Sequence, residues 1–161
     1  MQSISLASTT FVGQNLGVNQ VERAKKGVRS SLVMSFVSTV VLMIPVIFFA
    51  PGLVGFFNDK PEVVQCGAML LRYISPFYVL CCVNQVYSGA LRGAGNSKVP
   101  MIIMLLSFVL FRQIYLFIVA NFISNEILTI AMGYPAGWFM CSLATFIYYH
   151  KADLSKTRVV D

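Results

Sequence analysis

The 161-residue chain is 57% hydrophobic and only 11% charged, with a mean hydropathy of +0.75 and a formal net charge of +6. Soluble domains carry roughly 25% charged residues, so lipid rather than water is the expected solvent of this surface. The cations gather at the ends of apolar runs instead of along one basic face, which argues against nucleic acid as a partner and for the anionic headgroups of a lipid bilayer.

Cys66, Cys81, Cys82 and Cys141 all lie inside apolar runs without Cys-x-x-Cys spacing, and the single histidine, His150, stands at the edge of one. They read as small buried apolar side chains, with no zinc site or disulfide framework expected. Met1–Thr10 has no basic start and no sustained apolar core, so it is not a signal peptide. It reads as the end of a helix that the chain enters part-way.

Taken in order, residues 1–12 are expected to finish that helix, and Gly13, Asn15, Gly17 and Asn19 to form a turn. Asn19 and Glu22 have capping-box spacing. Arg23, Lys25, Lys26 and Arg29 then mark an amphipathic, interface-lying start to a first span over 31–50, kinked at Pro45. Gly55-Phe56-Phe57 is expected at the far headgroup level. Asn58–Glu62 is a polar turn, again with capping-box spacing from Asp59 to Glu62. The second span, 62–88, is longer than a bilayer core needs and is kinked at Pro76.

A compact polar segment, Ser88–Pro100, follows. Gly89, Gly93 and Gly95 are expected to stop the helix, Ser97 to cap the next one, and Pro100 to sit in its first turn. Arg92 and Lys98 would face lipid phosphates. A third span covers 99–123, a short turn 124–126, and a fourth span 127–149, where Pro135 and Gly137 mark a kink or a close approach. Tyr148, Tyr149 and His150 form an interfacial collar before a polar tail. No internal repeat is visible. The pattern is an all-α integral membrane fold of four transmembrane helices.

Charge orients it. The turns at 19–30 and 90–98 and the tail with Lys151, Lys156 and Arg158 are cationic. The turns at 58–62 and 124–126 hold only Lys60 against Asp59, Glu62 and Glu126. Four spans alternate these sides without conflict, which predicts a cytoplasmic C-terminus.

No enzyme chemistry is legible. Glu22, Asp59, Glu62, Glu126, Asp153 and Asp161 fall in turns, helix ends or the tail, no Ser/His/Asp set assembles, and Gly89–Lys98 lacks the spacing and strand context of a nucleotide loop. Arg72 is placed to snorkel to outer headgroups. Arg112 lies mid-span, where a charge costs at least ~2.5 kcal/mol, so it must face protein or water. It serves either as a structural residue bonded to carbonyls and Tyr115-type hydroxyls or as part of a transport path. At 100° per residue Tyr73, Asn84, Tyr87 and Ser88 share one polar arc of the second span, widened by Tyr78 and Gln85. That arc is either glue between helices or the lining of a path suited to amphipathic organic cations. Tyr73, Asn84, Ser88 and Arg112 are the candidate path residues.

Two stretches carry a resemblance. Gly89-Ala-Leu-Arg-Gly-Ala-Gly-Asn-Ser-Lys-Val-Pro100, ending an apolar helix, and Phe11-Val-Gly-Gln-Asn-Leu-Gly17 followed by Arg23-Ala-Lys-Lys26 resemble two loops of the multidrug and toxic compound extrusion (MATE) transporters, in the same order and one apolar hairpin apart. The resemblance covers about Ser5 to His150. It implies a twelve-helix plasma-membrane antiporter of two six-helix bundles. Such a protein exports cationic or amphipathic drug-like compounds against a proton or sodium gradient, with no other cofactor.

Residues 1–161 would then be the C-terminal part of the second bundle, its last four helices and the tail of the one before, and would work with the missing N-terminal bundle. Members of the family often carry acidic residues within helices for ion coupling. Here Cys81 and Cys82 stand where the second span might have offered one, which leaves the coupling ion, H+ or Na+, open. Two alternatives are a lipid-linked oligosaccharide flippase of the same superfamily, which needs a more cationic cavity, and a small membrane subunit without transport activity.

Overall fold

A computed structural model describes residues 1–123 and 126–152. Ser124 and Asn125 of the expected third turn, and the tail residues Asp153, Lys156, Arg158 and Asp161, lie outside the described residues. Among the described residues every regular element is helical: α1 (Gln2–Gly17), α2 (Val21–Phe48), α3 (Ala50–Gly55), α4 (Pro61–Ile74), a 3-10 turn Ser75–Phe77, α5 (Tyr78–Gly93), α6 (Lys98–Leu105), α7 (Arg112–Ile118), α8 (Ile127–Ala131) and α9 (Gly133–Lys151). Two π-helical stretches, Leu106–Phe111 and Val119–Ile123, interrupt the third span. Val21–Phe48, Pro61–Gly93, Lys98–Phe122 and Ile127–Lys151 are long and apolar enough to cross a membrane.

The core is built around α5, which packs against α1, α2 and α9. Its closest approach is to α1. Ser5 Oγ donates to Gln85 O at 2.6 Å, and Thr9 Oγ1 lies 2.9 Å from both Ser5 O and Gly89 O, sharing its one proton between them. A Cβ on Gly89 would lie 2.6 Å from Ser5 O, one on Gly93 would overlap Thr9 O, and one on Gly13 would lie 3.2 Å from Gly93 O. Ser5, Thr9 and Gly13 recur every fourth residue on α1, as Gln85, Gly89 and Gly93 do on α5. These two stripes of mostly small residues let backbone touch backbone, the close approach that lipid-embedded helices use in place of a hydrophobic driving force.

This contact corrects two boundaries. Gly13 does not begin a turn, and Gly89 does not stop a helix. Both lie inside helices and Gly93 is the last residue of α5, all three being packing positions, so α1 runs to Gly17 and the second span to Gly93 rather than 88. Each helix is ended by its next residue in left-handed conformation, Asn19 (φ 60°) and Gly95 (φ 85°). The hydrogen bonds are alike: Gln20 N to Asn15 O at 2.7 Å with Asn19 N to Leu16 O at 3.0 Å, and Asn96 N to Leu91 O at 2.9 Å with Gly95 N to Arg92 O at 3.0 Å. Both are Schellman ends.

The expected capping boxes do not form. Asn19 is committed to closing α1, the N-cap of α2 is Gln20 with no side-chain cap bond, and Glu22 pairs instead with Lys25 at 2.9 Å. At the second site Lys60 is the N-cap, again without a side-chain cap bond, and Asn58 Oδ1 accepts from Lys60 N at 2.9 Å. Ser97 occupies the N-cap of α6 but its hydroxyl makes no cap bond; Asn96 Oδ1 accepts from Val99 N at 3.3 Å instead.

The basic start and the first span are one helix, α2, with Pro45 inside it. The chain turns at Phe49, where a span to residue 50 was expected, and α3 follows. At Pro76 the second span is broken by the 3-10 turn. The fourth span breaks between Ala131 and Gly133, which leaves Pro135 in the first turn of α9, where a missing N–H costs nothing. The collar residues do not simply face the interface. Asn96 Nδ2 donates to Tyr148 OH at 2.8 Å, and Tyr149 packs on Tyr87 with ring centroids 4.4 Å apart. The ends of α1, α5 and α9 and the start of α2 therefore form one cluster around Val12, Ala24, Val28, Tyr87 and Ala94.

Replacing Gly93 with Ala should force α1 from α5 and lower stability by about 1–3 kcal/mol, the usual cost of overpacking. Gly52→Ala, where a Cβ meets nothing within 4 Å, should match or exceed wild type. Thermal midpoints of the purified variants in detergent check this, and equal midpoints would contradict the backbone contact.

Candidate substrate path

The four sequence candidates occupy three different environments. Asn84 and Ser88 come together, both buried, on the face of α5 turned to α9. Ser88 Oγ donates to Asn84 Oδ1 at 3.1 Å. The Thr145 hydroxyl of α9, with one proton to give, lies 2.8 Å from Cys141 O and 3.3 Å from Asn84 Oδ1. One turn away, Ser142 Oγ donates to Leu80 O at 2.6 Å. These bonds form a polar seam between two helices, each group served by a neighbour because lipid offers none.

Tyr73 lies on α4, beyond the break, and is 54% exposed. The arc drawn through Tyr73, Asn84, Tyr87 and Ser88 assumed one continuous helix. The Ser75–Phe77 turn resets the phase, so Tyr73 is not on the face that Asn84 and Ser88 bury. It lines a groove of about 770 Å³ with Arg72, Gln65, Met69, Pro51 and Pro61. Arg72 reaches sideways to α2, Nε to Ile47 O at 3.4 Å, while its side chain stays exposed. That carbonyl lies within the last turn of α2, where helix ends leave acceptors unserved.

Arg112 opens α7 directly after a π-helical stretch. Its expected partners were carbonyls and the Tyr115 hydroxyl. Tyr115 OH instead donates to Thr129 O at 3.1 Å, and the Arg112 guanidinium lies 3.8 Å from the centroid of the Tyr134 ring. A cation over an aromatic face in a dry setting is worth up to about 2 kcal/mol. The Arg112 Nε is buried and meets no hydrogen-bond partner among the described residues. Tyr134 neighbours Trp138 at 6.2 Å, and Trp138 packs on Tyr78 at 5.0 Å. A row Arg112–Tyr134–Trp138–Tyr78 thus runs from the third span across α9 to the break in the second. The sequence reading missed Tyr134 and Trp138, although their spacing of four residues on one helix places both rings on one face.

Arg92 and Lys98 also part company. Both are exposed, but Arg92 Nη2 donates to Ser5 Oγ at 3.1 Å and so ties α5 to α1.

This arrangement of broken apolar helices, closed by two matching turns, has known counterparts. The family model MatE matches residues 1–118, and the chain belongs to that family, the MATE transporters, which are membrane transporters rather than enzymes. It is similar to the probable multidrug resistance protein NorM of Thermotoga maritima, 25% identical over 157 residues, which cover 98% of this chain and 34% of the relative. It is also similar to the probable multidrug resistance protein YoeA of Bacillus subtilis, 24% identical over 147 residues, 91% of this chain and 32% of the relative. An inward-facing multidrug resistance MATE family transporter of the MOP superfamily shares the fold with a TM-score of 0.86 at 16% identity, over 95% of this chain and 35% of that one. The chain spans about a third of the length of these relatives.

Because the Arg112 contact is made by the ring face, Tyr134→Phe should keep the thermal midpoint of wild type. Tyr134→Leu should lose about 1–2 kcal/mol. Equal losses would assign the contact to the hydroxyl instead.

Proposed function

We propose that this chain forms the C-terminal part of the second six-helix bundle of a secondary multidrug efflux antiporter, which exports cationic or amphipathic compounds in exchange for H+ or Na+. Membership of the MatE family carries this reading, and relatives named as multidrug resistance proteins that extend about three times as far support it. The whole transporter needs the other bundle, since alternating access requires two parts that move against each other.

In this reading Tyr73 and Arg112 line the path and Asn84 and Ser88 hold the helix that moves. Tyr73 presents an aromatic ring to an open groove, and Arg112 ends a row of aromatic faces, surfaces that accept flat organic molecules. The break at Pro76 separates Tyr73 from Asn84 and Ser88 and supplies a hinge. Glu22, Asp59, Glu62 and Glu126 all lie at helix ends or turns, so the carboxylate that couples transport to an ion is assigned to another part of the protein.

The cation-rich cluster of α1, α2, α5 and α9 is assigned to the cytoplasmic face of the cell membrane, with the C-terminus on that side. In a background without native cysteines, Lys25→Cys and Ser97→Cys should react with an impermeant thiol reagent only from the cytoplasm, and Lys60→Cys only from outside. Labelling of Lys25→Cys and Lys60→Cys from one side would overturn the topology.

Transport separates the two sets of residues. In the complete transporter Tyr73→Ala should leave protein level unchanged and shift the pattern of dyes and drugs exported. Asn84→Ala should lower folded protein by removing the acceptor at the α5–α9 seam. An unaltered substrate profile for Tyr73→Ala would remove it from the path.

A further inference from the structure

We propose that the gap between α2 and α9, floored by Tyr87 of α5, binds the headgroup of one anionic phospholipid. α2 and α9 each pack on α5 but scarcely on each other, and a hollow of about 330 Å³ remains between them. That is about twice the roughly 150 Å³ that admits benzene, room for a phosphate and its glycerol rather than for a lone ion. Lys25, Arg29 and Leu32 of α2, Tyr87 of α5, and Tyr149 and His150 of α9 line it. On α2 these groups stand in order of depth. At roughly 1.5 Å per residue, Lys25 lies about 6 Å outside Arg29, and Leu32 about 4.5 Å further along toward the apolar span. Charge therefore meets the headgroup level, and a branched aliphatic side chain meets the level of the acyl chains.

The polar groups are reachable. Arg29 is exposed and makes no hydrogen bond or ion pair among the described residues. Lys25 is exposed and shares its charge with Glu22, which lies outside the hollow. The Tyr87 and Tyr149 hydroxyls also meet no hydrogen-bond partner among the described residues, and unlike those of Ser8, Ser35 and Ser75 neither is sealed from solvent. Their rings, with centroids 4.4 Å apart, hold one another in place. Two cations and two phenol donors suit an acceptor-rich anion, and a guanidinium pairs with a phosphate through two parallel hydrogen bonds. Among the described residues no carboxylate lines the hollow to oppose it. A zwitterionic lipid would bring its own cation beside Lys25 and Arg29. A free phosphate would leave Leu32 without a partner. Placing this lipid in the cytoplasmic leaflet, where anionic lipids gather, rests on the topology proposed above; the binding itself does not.

The test is native mass spectrometry of the full-length protein carrying this chain, released from detergent after titration with dioleoylphosphatidylglycerol or, as the zwitterionic control, dioleoylphosphatidylcholine. Arg29→Gln should weaken one phosphatidylglycerol binding step about tenfold, and Tyr149→Phe, which keeps the ring, should weaken the same step about fivefold. Phosphatidylcholine should bind at that step about tenfold more weakly. Lys26→Gln removes the same charge from the same helix outside the lining, and should change no step by more than about twofold. Equal affinity for the two lipids at that step, or no effect of either Arg29→Gln or Tyr149→Phe, would overturn the proposal. Equal effects of Arg29→Gln and Lys26→Gln would overturn it in favour of diffuse attraction to a basic surface. Displacement of the lipid by equimolar inorganic phosphate would overturn it in favour of a free anion. Thiol labelling at Ser97→Cys is scored separately. Labelling from outside would sink the topology and leave the site standing in the other leaflet; cytoplasmic labelling without lipid retention would do the reverse.

Discussion

The fold depends on one contact, the backbone-to-backbone approach of α1 and α5. Ser5, Thr9 and Gly13 meet Gln85, Gly89 and Gly93 so closely that a methyl group on Gly93 would collide with a carbonyl. In lipid, apolar side chains gain nothing by leaving the solvent, so helices associate where packing is dense and polar groups find partners. Here both occur along the same line. Thr9 bonds the carbonyls that the missing side chains expose, and Arg92 donates to Ser5 Oγ across the same contact. With α1 and α5 joined, the places of α2 and α9 follow, since both pack against α5.

The interior is correspondingly the reverse of a soluble core. Its buried side chains are mostly small or hydroxylated, such as Ser35, Thr39, Ser88, Ser142 and Thr145, while Phe36, Leu42, Phe48 and Phe122 lie outside. Each hydroxyl that is served ties two turns of one helix or two helices together. Thr39 Oγ1, for example, donates to Ser35 O at 2.7 Å and lies 3.1 Å from Cys82 Sγ across the α2–α5 interface. Cys82 and Cys141 are buried in such seams as small side chains, and all four thiols are free.

Breaks in the spans separate buried polar seams from open aromatic faces. Pro76 divides the second span into a half that exposes Tyr73 and a half that buries Asn84 and Ser88. The π-helical stretch before Arg112 packs against α9 near Gly137, and the guanidinium that follows meets Tyr134. Rigid seams on one side of a break and open aromatic faces on the other are what a helix needs if one part is to move while another holds.

Composition and the spacing of apolar runs by themselves determined that lipid is the solvent of this surface, that four segments are long and apolar enough to cross a bilayer, where the cations gather and, through the two Gly-rich loops, which family the chain belongs to. These are properties of segments, and a span of about 20 apolar residues is as visible in a string as in a structure. What each glycine does was decided only in three dimensions. Gly13, Gly89 and Gly93 read as breakers because their freedom is local, yet they serve as contact points because residues 80 apart in sequence meet there. The polar arc failed for a related reason: a helical wheel assumes an unbroken helix, and the 3-10 turn at Ser75–Phe77 rotates one half against the other. Arg112 needed a partner by any physical argument. That the partner is the face of Tyr134, on the next span, could follow only from how the spans pack.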